Sequence, residues 1–228
     1  MTVEVQPITS EQMYRIEDNG HSIFGMKKVL MMENAGHGLA DYIVSEKGPN
    51  FAGKKIISFC GTGNNGGDAM VASRHLSSQS GVEVTIVLVG DANNMKTEET
   101  LVNWSIVQKM KSIRILTGPN VIELAKNKVS ESDIIIDGIF GTGIKGEIRE
   151  PFSSAIEIIN SSNTYVVSVD IPSGLDPNDG TFLENCVKAD ATVTFHRIKK
   201  GLTMNKEYVG KLHLEKIGIP TEAEQGVV

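Results

Sequence analysis

Seven short strand-like runs, with helical patterns fitting between most of them, constrain this chain more than any other feature. The runs lie at 55–60, 82–89, 113–116, 133–140, 165–171, 191–195 and 211–217, and helical spacing marks 68–79, 97–110, 120–129 and 151–160. Ile134-Ile-Ile136 and Ile86-Val-Leu-Val89 are almost continuously apolar, as strands covered on both faces must be. Strands that alternate with helices predict an α/β fold. The expected architecture is Rossmann-like: a doubly wound, mostly parallel sheet with helices on both faces, three layers deep.

Two further helices are expected before the first strand. Thr9 and Gln12 form a capping-box pattern ahead of Met13 and Ile16. The second helix spaces Val29, Met32, Ala35, Leu39, Ala40 and Ile43 by three or four. Gly36 and Gly38 inside it lower helix propensity by roughly 1 kcal/mol each, a cost that close packing or an approaching ligand would offset. The polar tail at 221–228 is expected to fray. No linker, repeat or low-complexity tract divides the 228 residues, so a single domain spanning 1–228 is predicted.

A formal charge of −6 argues against nucleic acid or an anionic membrane as the main partner. No apolar run is long enough to span a bilayer, and the first residues lack a basic, then apolar, leader. Cys60 and Cys186 are isolated thiols suited to a reducing cytoplasm. Five scattered histidines form no zinc pattern.

Chemistry in such sheets belongs to the loops after the strands. Three strand ends are unusually loaded. The first is Cys60-Gly-Thr-Gly-Asn-Asn-Gly-Gly-Asp68, where Gly61, Gly63 and Gly66 fit G-x-G-x-x-G. The second runs from Asp137 to Phe152, and Gly141, Gly143 and Gly146 repeat the pattern. Neither is followed by a well-placed acid at the next strand end, since Asp91 comes late, so an ordinary dinucleotide dehydrogenase is disfavoured. The third is Val166-Val-Ser-Val-Asp-Ile-Pro-Ser-Gly-Leu-Asp176, where Asp170 closes an apolar strand. Asp170 is either an acid that bonds the loop below it or an acid–base group facing a crevice.

Taken together, the blocks resemble the YjeF N-terminal domain family, the NAD(P)H-hydrate epimerases. The matching blocks are Met32-Glu-Asn-Ala-Gly36, Asn64-Asn-Gly-Gly-Asp68 with Ala69-Met-Val-Ala-Ser-Arg-His-Leu76, Asp137-Gly-Ile-Phe-Gly-Thr-Gly143 with Arg149-Glu-Pro-Phe152, Val169–Asp176, and Ala189-Asp-Ala-Thr-Val-Thr-Phe195. They cover nearly the whole chain in order. The resemblance implies an isomerase that interconverts the R and S forms of hydrated NADH and NADPH, so that a separate S-specific dehydratase can restore the cofactor. It also implies a homodimer. The alternative is a non-catalytic ligand- or protein-binding module of the same fold.

The resemblance further assigns residues. Substrate contacts are expected from Asn64, Asn65, Gly66, Gly67, Asp68, Gly141, Thr142, Gly143, Ile144, Lys145, Gly146, Glu147 and Asp170, with Asp170 as the catalytic acid–base group. A potassium ion is expected on Asn65, Asp137 and Ser173, a hard-oxygen set suited to an alkali cation. Gly66 and Gly67 would let the backbone approach the ligand. Asp68 would suit the positive end of a helix dipole. Asp137→Ala is expected to weaken binding while leaving the fold intact. Arg149 either serves the ligand or pairs with Glu147 or Glu150. Ile198 replaces a proline common in the family, and Lys199 and Lys200 either lie over the ligand or form a solvated basic turn.

Overall fold

All seven expected strands are present in the computed structural model, which describes residues 6–143, 146–182 and 184–228. They are β1 (Lys55–Cys60), β2 (Glu83–Leu88), β3 (Ile113–Leu116), β4 (Ile134–Gly138), β5 (Tyr165–Val169), β6 (Ala191–Phe195) and β7 (Lys211–Glu215). Their order is β3-β2-β1-β4-β5-β6-β7, and every neighbouring pair is parallel. Strand order therefore reverses between β1 and β4, the place where doubly wound sheets open a crevice. The helices are α1 (Ser10–Ser22), α2 (Lys28–Lys47), α3 (Asn64–Leu76), α4 (Glu98–Val107), α5 (Val121–Ser130), α6 (Phe152–Asn160), α7 (Lys200–Met204) and α8 (Lys206–Val209).

Alternation along the strands builds the three layers. Ile56 and Cys60 of β1 join Ile86, Ile136, Val167 and Val193 in a core shared with α1, α2, α3 and α4. Ile57 and Phe59 point the other way and join Val87, Ile135 and Val166 beneath α5 and α6. Burying each such side chain is worth about 1.5–3 kcal/mol, so the period-two pattern fixes register as well as fold.

Strands β2, β4, β5 and β7 stop one or two residues short of their apolar runs, because the last residues turn into the crevice loops. Helix α3 begins at Asn64, four residues earlier than its expected start, so Asn64-Asn-Gly-Gly forms its first turn. The capping box on α1 is formed, with Thr9 and Gln12 satisfying each other's backbone amides. Gly36 is a packing residue: a Cβ there would come within 2.4 Å of Val71 Cβ on α3.

The tail does not fray. Ala223 is fully buried in a turn of 3-10 helix at Thr221–Glu224. Asn19 of α1 donates to the Ala223 carbonyl (2.9 Å), Gln12 to that of Val227 (3.1 Å), and Arg197 pairs with Glu224. Among the described residues no helix is long and apolar enough to cross a membrane.

Candidate active site

A cavity of about 880 Å³ opens at the carboxyl ends of β1, β4 and β5. Asn64, Asn65 and Asp68 reach it from the first turns of α3, and Gly141, Thr142, Gly143, Gly146 and Glu147 from the loop after β4. Asp170 enters from the end of β5 and Lys199 from the turn after β6, while Tyr14 and Glu17 of α1 line another wall. Tyr14 ties that helix to the β4 loop through a 2.8 Å hydrogen bond between its hydroxyl and that of Thr142. Ile144 and Lys145 lie outside the described residues.

Gly66 and Gly67 are not among the lining residues. A Cβ on Gly66 would come within 2.0 Å of the Gly61 carbonyl oxygen, and one on Gly67 within 2.5 Å of Met32 Cε. Their small size lets α3 close onto its own preceding turn and onto α2. Asp68 sits one turn inside the helix rather than at its start, so the dipole account of this residue fails. Burial, together with the negative charges of Asp170 and Glu17, pushes its carboxyl well above the usual range, with Lys199 opposing.

Asp170 is bonded to the neighbouring strand end and also lines the cavity. Its backbone sits at φ +61°, left-handed for a residue other than glycine, a strain that surrounding contacts must maintain. Oδ1 accepts from Lys199 Nζ (2.5 Å), Thr194 Oγ1 (3.0 Å) and the Phe195 amide (3.1 Å). Among the described residues Oδ2 has no hydrogen-bond partner, so one oxygen is anchored and the other is not.

The two adjacent lysines separate. Lys199 is 1% exposed, and Nζ donates also to Thr194 Oγ1 (3.2 Å) and the Phe195 carbonyl (3.0 Å), using all three of its protons. Its backbone is clamped by residues before α1: the Ile8 amide donates to the Ile198 carbonyl and the Lys200 amide to that of Ile8, both at 2.9 Å. Lys200 is exposed at the start of α7. Arg149 contacts Glu147 at 3.6 Å with both side chains mostly exposed, a pairing worth little.

Asn65 and Ser173 meet at the Phe140 peptide, and Asp137 joins them through Ser173. Asn65 Nδ2 donates to the Phe140 carbonyl (2.8 Å), and Ser173 Oγ accepts from the Phe140 amide (2.9 Å). Asp137, fully buried, accepts from Ser173 Oγ (2.5 Å), the Ser173 amide (2.9 Å) and Ser168 Oγ (2.8 Å). Burial raises its carboxyl and these hydrogen bonds oppose the rise. One carboxylate among hydroxyl, amide and carbonyl oxygens fits an alkali cation better than a soft metal. Ser168, absent from the sequence reading, belongs to this cluster.

Glu17 was also absent from that reading. Burial pushes its carboxyl up to about 7, with Lys199 opposing and Asp170 adding to the rise. A folded-state value above the ordinary 4.5 means the fold retains a proton that the unfolded chain has lost. Stability from this group is complete below the ordinary value and declines as pH rises to about 7. Glu17→Gln is therefore expected to raise the melting temperature by a few degrees at pH 8 and to leave it unchanged at pH 4. Scanning calorimetry at both values checks this, and an equal change at the two would refute it.

Fold and site together define a Rossmann-like α/β domain whose crevice at the strand ends is lined by an anchored carboxylate, Asp170. The chain belongs to the family described as YjeF-related protein N-terminus, whose match covers residues 28–201. It is 48% identical over 221 residues to the NAD(P)H-hydrate epimerase of Nitrosopumilus maritimus, spanning 97% of this chain and 99% of that one. It is 41% identical over 217 residues to the bifunctional NAD(P)H-hydrate repair enzyme Nnr of Archaeoglobus fulgidus, spanning 95% of this chain and 42% of that one. The crystal structure of yeast ynu0 shares the fold, with a TM-score of 0.74 at 24% identity over 87% of this chain and 84% of that one.

Proposed function

We infer that this protein is an isomerase that interconverts the R and S forms of hydrated NADH and NADPH. The observation that carries the reading is the near end-to-end relationship to an epimerase of that name. The cavity volume lies within the range of about 300–1,000 Å³ usual for small-molecule sites. Asp170 has the free oxygen that such a reaction requires. At the carbon beside the ring nitrogen, the nitrogen lone pair assists loss of the hydroxyl as water, leaving an iminium-like cation. A carboxyl group beside that carbon manages the proton and stabilises the cation until water returns to the other face. No hydride moves, so the sheet serves nucleotide binding without redox chemistry.

A potassium ion on Asn65, Asp137 and Ser173 belongs to the same proposal. Such an ion would supply a fixed positive charge against the buried Asp137 carboxylate. So do a homodimer, a cytoplasmic location, which two free buried thiols suit, and functional partnership with a separate dehydratase. The combined repair activities in the name of the Archaeoglobus relative support that last point. The test is an assay of the purified protein on one chromatographically separated hydrate epimer. Formation of the other epimer well above the uncatalysed rate is expected, and no excess over that rate would refute the reading.

A further inference from the structure

We propose that Glu17, on the N-terminal helix α1, is a second acid–base residue of this site, serving the ring face opposite the one served by Asp170. This rests on the epimerase reading. The hydroxyl departs from one face of the ring and water arrives on the other, whereas Asp170 is a fixed group. Its Oδ1 is held by three donors, which leaves Oδ2 a single direction of approach. A group on a different wall must attend to the other face.

Glu17 answers that need. It lines the same cavity from a different element, and among the described residues its carboxyl has no hydrogen-bond partner. The other lining groups on its side are engaged: Tyr14 with Thr142, and Lys28 with Asp18 at 2.9 Å. Asp68 also senses Asp170 and Lys199 but comes from α3, beside the β1 and β4 loops. The family match begins only at residue 28, so Glu17 lies outside the segment that defines the family.

The steps balance without any co-reactant. Glu17 gives its proton to the departing hydroxyl, the carbon–oxygen bond breaks, and the nitrogen lone pair becomes the carbon–nitrogen double bond. Water adds on the opposite face, the double-bond pair returns to nitrogen, and Asp170 takes the proton. In the reverse direction the carboxyls exchange roles, and solvent in the cavity resets them between turnovers.

The experiment compares wild-type protein with Glu17→Gln and Glu17→Asp on single epimers of hydrated NADH, in both directions, from pH 5 to 9. Glu17→Gln is expected to lose about 10²-fold in kcat with KM nearly unchanged. It should also lose the limb of the pH profile near neutrality. Groups facing Glu17 are Lys199 and Asp170 from the strand ends, Lys28 from α2, Asp68 from α3, and Asp18 and Tyr14 on α1 itself. The limb must therefore return in Glu17→Asp, with part of kcat, if it belongs to this carboxyl. A folded Glu17→Gln protein with wild-type kcat overturns the proposal and leaves the epimerase reading standing, as does a change confined to KM. Should Glu17→Gln not fold, full wild-type kcat in Glu17→Asp overturns it equally, because that side chain is one methylene short. Wild-type protein inactive on either epimer removes both.

Discussion

Asp170→Asn is expected to lose epimerisation by roughly 10²–10⁴-fold while still folding and binding the hydrate. Asparagine keeps the shape and can still accept from the Phe195 amide and Thr194, but it can neither carry the proton nor balance a cation. The structure adds a cost that the sequence did not reveal. The buried Lys199 ammonium loses its one carboxylate contact among the described residues, and breaking such a pair on one side costs about 3–5 kcal/mol. Asp170 borders an open cavity, so the lower end of that range applies. A domain stable by roughly 5–15 kcal/mol survives this. Asp170→Asn combined with Lys199→Met removes both charges and should recover the stability without the activity. Single-epimer turnover with the uncatalysed rate subtracted, read beside thermal melts of both variants, checks this. Normal turnover by folded Asp170→Asn would remove the residue from the mechanism.

Asp137→Ala is expected to destabilise the protein by about 3–5 kcal/mol, since it strands buried donors on Ser168 and Ser173 at about 1–3 kcal/mol each. For a chain of this size that corresponds to a melting temperature lower by roughly 10 °C. This corrects the sequence expectation that the fold would be untouched. A strand-end aspartate in a glycine-rich block reads as a ligand to something in the crevice, whereas its carboxylate is wholly enclosed and ties β4 to β5 and the Ser173 turn. If it also holds potassium, wild-type protein should melt higher in potassium chloride than in choline chloride at equal ionic strength, through mass action on the folded state. Asp137→Asn should abolish that difference. A melting temperature of Asp137→Ala within a degree of wild type would refute the structural role.

The central strands were legible because both faces are covered, which writes nearly unbroken apolar runs such as Ile134–Ile136 into the chain, whereas edge strand β7 alternates apolar and polar residues. The start of α3 was not legible, since two asparagines and two glycines are weak helix formers and packing against α2 overrides their propensity. Asp170 stood out because it closes a visible strand, whereas Asn65 and Ser173 were assigned by the family resemblance. Lys199 could not be found, because its partner Asp170 is 29 residues away and a buried lysine looks like a solvated one until that pair is seen. Glu17 escaped for a related reason: a helix packed on one side reads as having a solvated face, and nothing local shows that a cavity borders it. The tail misled in the same way, because its Ala223 and Val227 carbonyls and its Glu224 carboxylate bond to distant parts of the chain.

The wall that α1 contributes to the cavity is the least local part of this molecule. Gln12 is joined to Val227 across 215 residues of sequence, Asn19 to Ala223 across 204, and Arg197 to Gln6 across 191. Contacts of such reach carry the largest loop-closure cost and form late in folding. The sheet and its strand-end loops can therefore organise while the reaction chamber still lacks a side. Met13 and Ile16 anchor that wall in the main core, so its opening would expose buried apolar surface. The segment that carries Glu17 also holds the Asp170 tether, since Ile8 just before α1 clamps the backbone on both sides of Lys199.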